Sequence, residues 1–188
     1  MTAGSSTYPR TIENGVGDQV TLLGVDADGD GREILQMESR VGAGNGPPIH
    51  VHHLQEESLT VKEGRLAYQV AGEPARFAAP GDTVSFRAGQ THRFWNAGDG
   101  DLVCSGWVSP PYNLEYFLTE LYESARRAGG SRPDVLDAAY LVGRYHTEFG
   151  IADVPAPVQR LMFPVLRIAG RLLGGQRRFA DSPAPIRR

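Results

Sequence analysis

Hydrophobic and polar residues alternate in short segments between residues 19 and 108. Turn-forming Gly, Pro, Asp and Asn separate the segments, as in ADGDGRE (27–33), KEGR (62–65) and NAGDGD (96–101). Because alternation with a period of two is typical of half-buried strands, the segments are predicted to be β-strands. They cover residues 19–24, 33–41, 49–53, 58–62, 65–71, 76–78, 83–86, 91–95 and 102–108. Strands of this length at near-regular spacing indicate a sandwich or a barrel.

The pattern changes to a helical one after residue 112. Residues 113–127 carry an apolar stripe at helical spacing, and Asn113 at their start is a typical N-cap residue. A second helix is predicted over residues 133–149. A third is predicted over residues 157–173, with a kink or a break at Pro164.

This change of pattern divides the chain into three parts. Residues 1–112 are predicted to form a β-barrel, with an N-terminal arm at about 1–18. Residues 113–175 are predicted to be a helical extension that packs on the barrel or on a dimer partner, and 176–188 to be a flexible basic tail. Seven arginines and one acid follow residue 158, although the net charge of the chain is −3. We expect this end to neutralise the acidic body or a partner; attraction to phosphate or to an acidic surface is the alternative.

Cysteine content and apolar runs exclude several classes of protein. Cys104 is the single cysteine, so no intrachain disulfide can form and a thiolate-rich zinc site is excluded. Its apolar surroundings predict a buried side chain rather than a nucleophile. No apolar run reaches the ~18 residues that span a bilayer, and the polar N-terminus lacks the pattern of a secretory signal. We therefore expect a cytoplasmic protein with no membrane contact and, for want of a helix-turn-helix pattern, no nucleic-acid partner.

Three histidines and one carboxylate form the strongest chemical signal in the chain. His50 and His52 are two residues apart in a predicted strand, so their side chains point to the same face. Glu57 follows after a short turn, and His92 opens a later strand. Neutral imidazole and carboxylate are ligands for divalent transition metals, and an open-sided site of this kind leaves room for substrate or dioxygen. The sequence therefore predicts a metal site inside a β-barrel.

The spacing of these residues resembles the two sequence motifs of the cupin superfamily. The first motif, G(x)5HxH(x)3-4E(x)6G, is matched by His50, His52, Glu57 and Gly64, with Gly44 or Gly46 near the place of the opening glycine. The second motif, G(x)5PxG(x)2H(x)3N, is matched by Gly81, Gly89, His92 and Asn96, with Arg87 in the place of proline. The resemblance covers roughly residues 15–112 and implies a double-stranded β-helix, or jelly-roll barrel.

By this resemblance the three histidines and Glu57 bind one divalent metal, and Glu57 can also serve as a catalytic base. Glu56 is the competing carboxylate, because it satisfies the shorter spacing of the first motif. Only Glu57 keeps six residues before Gly64, so Glu57 is favoured. The metal is Fe, Mn, Ni, Co or Zn, and the sequence does not choose among them. Asn96 is implied to be structural rather than a ligand.

Alternation along the strand that begins near His92 also predicts part of a substrate pocket. Phe94 lies on the same face as His92, whereas Trp95 lies on the opposite face. Phe94 is therefore a candidate wall of the pocket. Further candidates are Met37, Tyr68 and Trp107. Plain core packing is the commoner role of such side chains.

The resemblance to quercetinase-like single-domain cupins implies a metal-dependent dioxygenase, which is an oxidoreductase. Its substrate would be a small aromatic or enolic molecule that chelates the metal, with dioxygen as the second substrate. One alternative keeps the metal as a Lewis acid in a non-redox cyclase, isomerase or lyase of secondary metabolism. Another alternative is a ligand-binding cupin without catalysis. Because cupins often pair through their sheets, we expect a homodimer.

Overall fold

Two antiparallel sheets form the main body of the fold in this computed structural model, which describes residues 7–152, 165–166, 168, 170 and 175–187. The strands are Arg10–Glu13 (β1), Gln19–Ala27 (β2), Glu33–Val41 (β3), His50–His52 (β4), Glu56–Glu63 (β5), Leu66–Val70 (β6), Arg76–Ala78 (β7), Thr83–Phe86 (β8), His92–Asn96 (β9), Leu102–Ser109 (β10) and Phe149–Ile151 (β11). One sheet has the order β1-β2-β3-β10-β5-β8, and the other has the order β11-β4-β9-β6-β7. The predicted fold class, a mainly β two-sheet barrel followed by helices, is confirmed.

Each predicted strand is present within a few residues of its predicted bounds, but two strands were not predicted. β1 lies in the segment predicted as an N-terminal arm and pairs with β2. β11 begins where the second helix was predicted to end and pairs with β4, with Phe149 opposite His52. Gly150 permits this pairing, because a Cβ atom there would lie 2.9 Å from Cγ1 of Val51. The added strand extends the sheet that carries three of the four candidate ligands.

The first helix, Leu114–Ala128 (α1), follows the last strand of the barrel closely and matches its prediction. It ends at Gly129, whose φ of 71° is the left-handed conformation that commonly terminates helices. The prediction that the Asn113 side chain caps α1 is wrong, because its amide donates to Glu148 Oε1 at 2.7 Å.

Within the described residues, no helix combines the length and the apolar character needed to cross a bilayer.

The second helix, Val135–Arg144 (α2), is shorter than predicted. It starts at Asp134, whose carboxylate accepts hydrogen bonds from two backbone N–H groups of the first turn. It ends before Phe149 because the chain turns after Tyr145, whose carbonyl accepts from the amide of Glu148, and then enters β11. Most of the predicted third helix, including its break at Pro164, lies outside the described residues; positions 165, 166, 168 and 170 are helical.

Two hydrophobic clusters fill the interior. The barrel core lies between the sheets and consists of Val41, Leu59, Val61, Leu66, Ala78, Val84, Phe86, Leu102 and Cys104. The cap core joins strands to helices and consists of Ile12, Val20, Leu22, Leu35, Met37, Val108, Leu114, Phe117, Leu141, Val142, Tyr145, Phe149 and Phe179. Along β3 the inward side chains pass from the cap core to the barrel core, so the helices cover one end of the space between the sheets.

The segment after residue 175 lies against the helices, where the sequence predicts a flexible tail. Phe179 is 2% exposed and stacks on Tyr140 with 4.5 Å between ring centroids. Backbone carbonyls of the following residues accept hydrogen bonds from side chains of the α2 region, namely Ser182 and Pro183 from Arg144, Pro183 from Tyr145 and Ile186 from Thr147. The arrangement differs from the prediction because one aromatic anchor and these carbonyls find partners on the helices.

Candidate metal centre

Four side chains predicted as metal ligands converge between the two sheets. They belong to His50, His52, Glu57 and His92, and their ligand atoms all lie within 4.8 Å of one another. Oε2 of Glu57 is 3.0 Å from Nε2 of His92, 3.6 Å from Nε2 of His52 and 3.9 Å from Nε2 of His50. Each imidazole therefore presents the same ring nitrogen to one carboxylate.

Strand pairing explains why residues distant in sequence meet here. His50 on β4 lies directly opposite His92 on β9, and His52 follows on the same face of β4. Glu57 comes from the other sheet, where β5 pairs it with Val108 on one side and Phe86 on the other. The cluster is thus held by three strands and bridges the two sheets.

Two of the histidines have a defined tautomer. Nδ1 of His50 lies 2.9 Å from the carbonyl oxygen of Pro48, and Nδ1 of His92 lies 2.8 Å from that of Gln90. A carbonyl only accepts, so Nδ1 carries the proton in both rings and Nε2 of a neutral ring carries a lone pair. At 3.0 Å, Nε2 of His92 and the carboxylate of Glu57 are then two facing acceptors. Only a proton or a metal cation between them makes this contact favourable, so the donor set fits a divalent metal ion.

The charge states of the cluster also favour metal binding. Burial lowers the pKa of His52 to about 4; the Glu57 carboxylate opposes this shift, and the neighbouring imidazoles add to it. Burial would raise the pKa of the Glu57 carboxyl, but hydrogen bonds and positive charge from the imidazoles in their protonated forms outweigh burial and hold that pKa well below its usual range. At neutral pH the site therefore offers a neutral His52 and an ionised carboxylate, which are the forms that ligate metals.

Glu57, rather than its neighbour, is the carboxylate that reaches the histidines. Glu57 is 9% exposed, whereas Glu56 points to the exposed face of β5. The choice made from motif spacing agrees with this placement. Asn96, expected to be structural, donates from its side chain to the carbonyls of Val41 and Gly100 at 2.8 and 2.7 Å.

The predicted pocket residues lie at different places. Met37 is buried in the cap core, Tyr68 and Phe94 pack at the edge of the barrel core, and Trp107 is half-buried on β10. Tyr68 also lines an open cleft of about 290 Å³ that Phe86 and Gln90 border. Within the described residues, none of these four side chains makes a ring contact with a histidine of the cluster.

Two aromatic residues that the sequence did not single out contact the cluster. Phe86 stacks on His92 with 3.8 Å between centroids and 9° between planes. Phe149 meets His52 edge-on, with centroids 5.4 Å apart. Phe86 had a detectable signal, because alternation in its strand puts it on the same face as Val84. Phe149 had none, because its segment was predicted as helix.

The loop that leads into β4 lies close to β9 and determines the position of His50. The amide of Gly44 donates to the carbonyl of Asn96, and the amide of Asn96 donates to that of Asn45. A Cβ atom on Gly46 would lie 2.2 Å from the carbonyl oxygen of Phe94, so only glycine fits there. The side chain of His50, at 17%, is the most exposed of the four, and that of His92, at 1%, is the least. The side of His50 is therefore the more open approach to the site.

Comparisons with known proteins agree with this arrangement. Residues 37–108 match the family described as the cupin domain. Over 68 residues the chain is 31% identical to the probable oxidoreductase virH of Hypocrea virens. This match covers 35% of this chain and 31% of that protein. Over 75 residues it is 29% identical to the oxidoreductase iacF of Pestalotiopsis fici. This match covers 39% of this chain and 37% of that protein. The chain thus spans about a third of the length of either curated relative.

Among solved structures, the chain is similar to a sugar phosphate isomerase from a cupin superfamily of Silicibacter pomeroyi. The identity is 23% and the TM-score 0.46, over 54% of this chain and 71% of that one.

Proposed function

We propose, from the cupin domain that residues 37–108 form, that this protein is a metal-dependent dioxygenase for a small aromatic or enolic substrate that chelates the metal. One observation carries the proposal: three imidazole nitrogens converge on one buried carboxylate. His92 Nε2 and Glu57 Oε2 lie 3.0 Å apart as two acceptors. A divalent cation among the four ligands satisfies all of them at once.

The proposed metal would be held by Nε2 of the three histidines and by the carboxylate of Glu57. Fe, Mn, Ni, Co and Zn all accept such a mixed set of nitrogen and oxygen ligands. When bound, the ion supplies Lewis acidity toward a chelating substrate and, if it is redox-active, electron exchange with dioxygen.

Glu57 is the proposed base that takes the proton of the substrate hydroxyl. It is the one carboxylate in the described chain that belongs to the cluster. Its surroundings hold its pKa below the usual range, so Glu57 is ionised at neutral pH and able to accept a proton. The exposed Glu56 is in no position to share this role.

The surroundings of the cluster support an apolar substrate and a redox reaction. Phe86 and Phe149 place aromatic rings against His92 and His52, so the wall behind these two imidazoles is apolar, as suits an apolar substrate. Both curated relatives reported above are named oxidoreductases, which favours redox chemistry over the non-redox alternatives.

The proposal is tested by metal loading followed by a substrate screen with an oxygen electrode. Purified protein is analysed for metal content, stripped, and reloaded with each of the five ions. It is then offered small enolic and phenolic compounds with and without air. We expect turnover with matching oxygen consumption that stops under anaerobic conditions.

Turnover that continues without dioxygen would instead identify a non-redox cyclase, isomerase or lyase. Binding of candidate substrates without any turnover would identify a ligand-binding cupin. The homodimer, the cytoplasmic location and the substrate contacts of Met37, Tyr68, Phe94 and Trp107 stay predictions beside this proposal.

A further inference from the structure

We infer that Gln55 is a positioning residue, whose side-chain oxygen accepts a hydrogen bond from Nδ1–H of His52 and orients that imidazole toward the metal. The inference rests on the proposed metal site and adds a residue to it that is not one of the four ligands.

Gln55 and His52 both carry buried polar atoms without partners. Gln55 is fully buried, and neither its amide nitrogen nor its amide oxygen makes a hydrogen bond. Nδ1 of His52 is likewise buried and unpartnered. Native proteins rarely leave such groups unpaired, and the exceptions commonly have a functional reason. The Gln55 amide can accept the proton that His52 Nδ1 can donate, and the two residues are three positions apart. We therefore infer that they form a hydrogen bond with each other.

The other two histidines show what His52 lacks. In His50 and in His92, Nδ1–H donates to the carbonyl of the residue two positions earlier, Pro48 or Gln90. A metal-bound imidazole normally donates its second N–H in this way, which fixes both its tautomer and its ring orientation. His52 turns Nε2 toward Glu57, so its Nδ1 faces away from the cluster and needs an acceptor there.

Few other buried, unpartnered side chains of the described residues could serve as that acceptor. The remaining buried and unpartnered side-chain atoms of the described residues are Oγ of Ser39 and Nε of Arg10 and Arg144. The arginine atoms are donors only. Ser39 lies on β3, in the sheet that also carries Glu57, and His52 presents Nε2 rather than Nδ1 to that sheet.

The position of Gln55 in the chain suits this role. It lies in the connection between β4 and β5, three residues after His52 and two before Glu57. A change of side-chain rotamer at Gln55 is the movement that would bring its amide oxygen to Nδ1. It also stays neutral, so it accepts the hydrogen bond without placing a second charge beside the buried carboxylate of Glu57.

The inference is tested by zinc affinity, measured in competition with a chromophoric chelator. Gln55→Leu removes the acceptor, Gln55→Glu keeps one, and Gln36→Leu is the matched control on the exposed face of β3. Circular dichroism first establishes that each variant is folded. We expect Gln55→Leu to bind zinc about 10–100-fold more weakly. Gln55→Glu, which keeps an acceptor but adds a charge, should bind zinc more tightly than Gln55→Leu, and Gln36→Leu should stay within about threefold of the wild type. A folded Gln55→Leu with wild-type affinity would overturn the inference.

A second measurement covers the case in which Gln55→Leu does not fold. In the zinc-loaded protein, the ¹⁵N resonance of His52 Nδ1 should shift in Gln55→Glu while those of His50 and His92 stay in place. An unchanged His52 resonance would overturn the inference. Failure of the wild type to bind any metal would instead overturn the proposed function and this inference together.

Discussion

Phe149 lies directly opposite His52 in the pairing of β11 with β4, and its ring meets the imidazole edge-on at 5.4 Å. A residue that follows both helices thus contacts a candidate ligand on the fourth strand. The same phenylalanine stacks on Phe117 of α1, with centroids 4.5 Å apart. The helical extension therefore contacts the candidate metal site through the side chain of Phe149.

Removal of this ring should weaken both the fold and the site. Phe149 is 5% exposed, so Phe149→Ala is expected to lower the free energy of unfolding by about 3–5 kcal/mol. It should also weaken metal binding, because the position of His52 depends on β11. Urea unfolding and chelator competition measure the two effects. Phe77→Ala, at a position 55% exposed, is the control and should cost less than about 1 kcal/mol. Equal losses of stability in the two variants would contradict the role assigned to Phe149.

The neighbouring glutamates provide a matched pair for the ligand prediction. Glu57→Gln keeps the shape of the side chain but removes the charge that faces the three imidazoles. We expect its metal affinity to fall by more than the 10–100-fold that loss of an outer partner typically costs. Glu56→Gln, on the exposed face of the same strand, should bind like the wild type. Calorimetric titration with zinc measures both affinities. A strong effect in Glu56→Gln alone would show that Glu56, and not Glu57, is the ligand.

Acid should destabilise the metal-free protein. Burial lowers the pKa of His52 from 6.5 to about 4 in the folded chain, so below pH 6.5 the unfolded chain takes up the proton more readily and stability falls toward pH 4. Glu57, whose pKa is also below its usual range, loses its stabilising contribution as the pH falls further. We expect the melting temperature to fall by roughly 5 °C or more between pH 7 and 4.5.

This pH effect has a matched pair of histidine variants. His52→Asn removes the titrating ring and should flatten the dependence, whereas His146→Ala should leave it unchanged. A metal-free wild type with the same melting temperature at both pH values would refute the assigned charge state of His52.

The close approach at Gly46 predicts a localised effect of an added methyl group. Its Cβ would meet the carbonyl oxygen of Phe94 at 2.2 Å, so the loop before β4 must shift and carry the Pro48 carbonyl away from His50. Gly46→Ala is expected to cost about 1–3 kcal/mol of stability and to weaken metal binding. Gly29→Ala, where a Cβ meets nothing within 4 Å, should stay within about 0.5 kcal/mol of the wild type. Thermal unfolding with and without zinc tests both.

The sequence predicts the barrel and the grouping of the four candidate ligands well, because both depend on local patterns. Period-two alternation located the strands, and motif spacing separated Glu57 from Glu56. What it missed depends on contacts between distant residues. The three residues of β11 are too few to show a period, and only their pairing with β4 defines them. Asn113 is a typical helix-capping residue, but its side-chain amide donates a hydrogen bond to the buried carboxylate of Glu148 instead. The partnerless state of Gln55 is visible only in three dimensions.

The pairing of β11 with β4 also sets an order of events during protein synthesis. The ribosome releases the chain from its N-terminus, so His50, His52, Glu57 and His92 all emerge well before Phe149. For that interval the four ligands can meet in a nascent barrel whose outer strand, and the helices that precede it, are still missing. Ions in the surrounding solution then compete for a site more open than that of the finished protein. A metal bound by the mature protein would accordingly be open to selection by availability during translation as well as by final affinity.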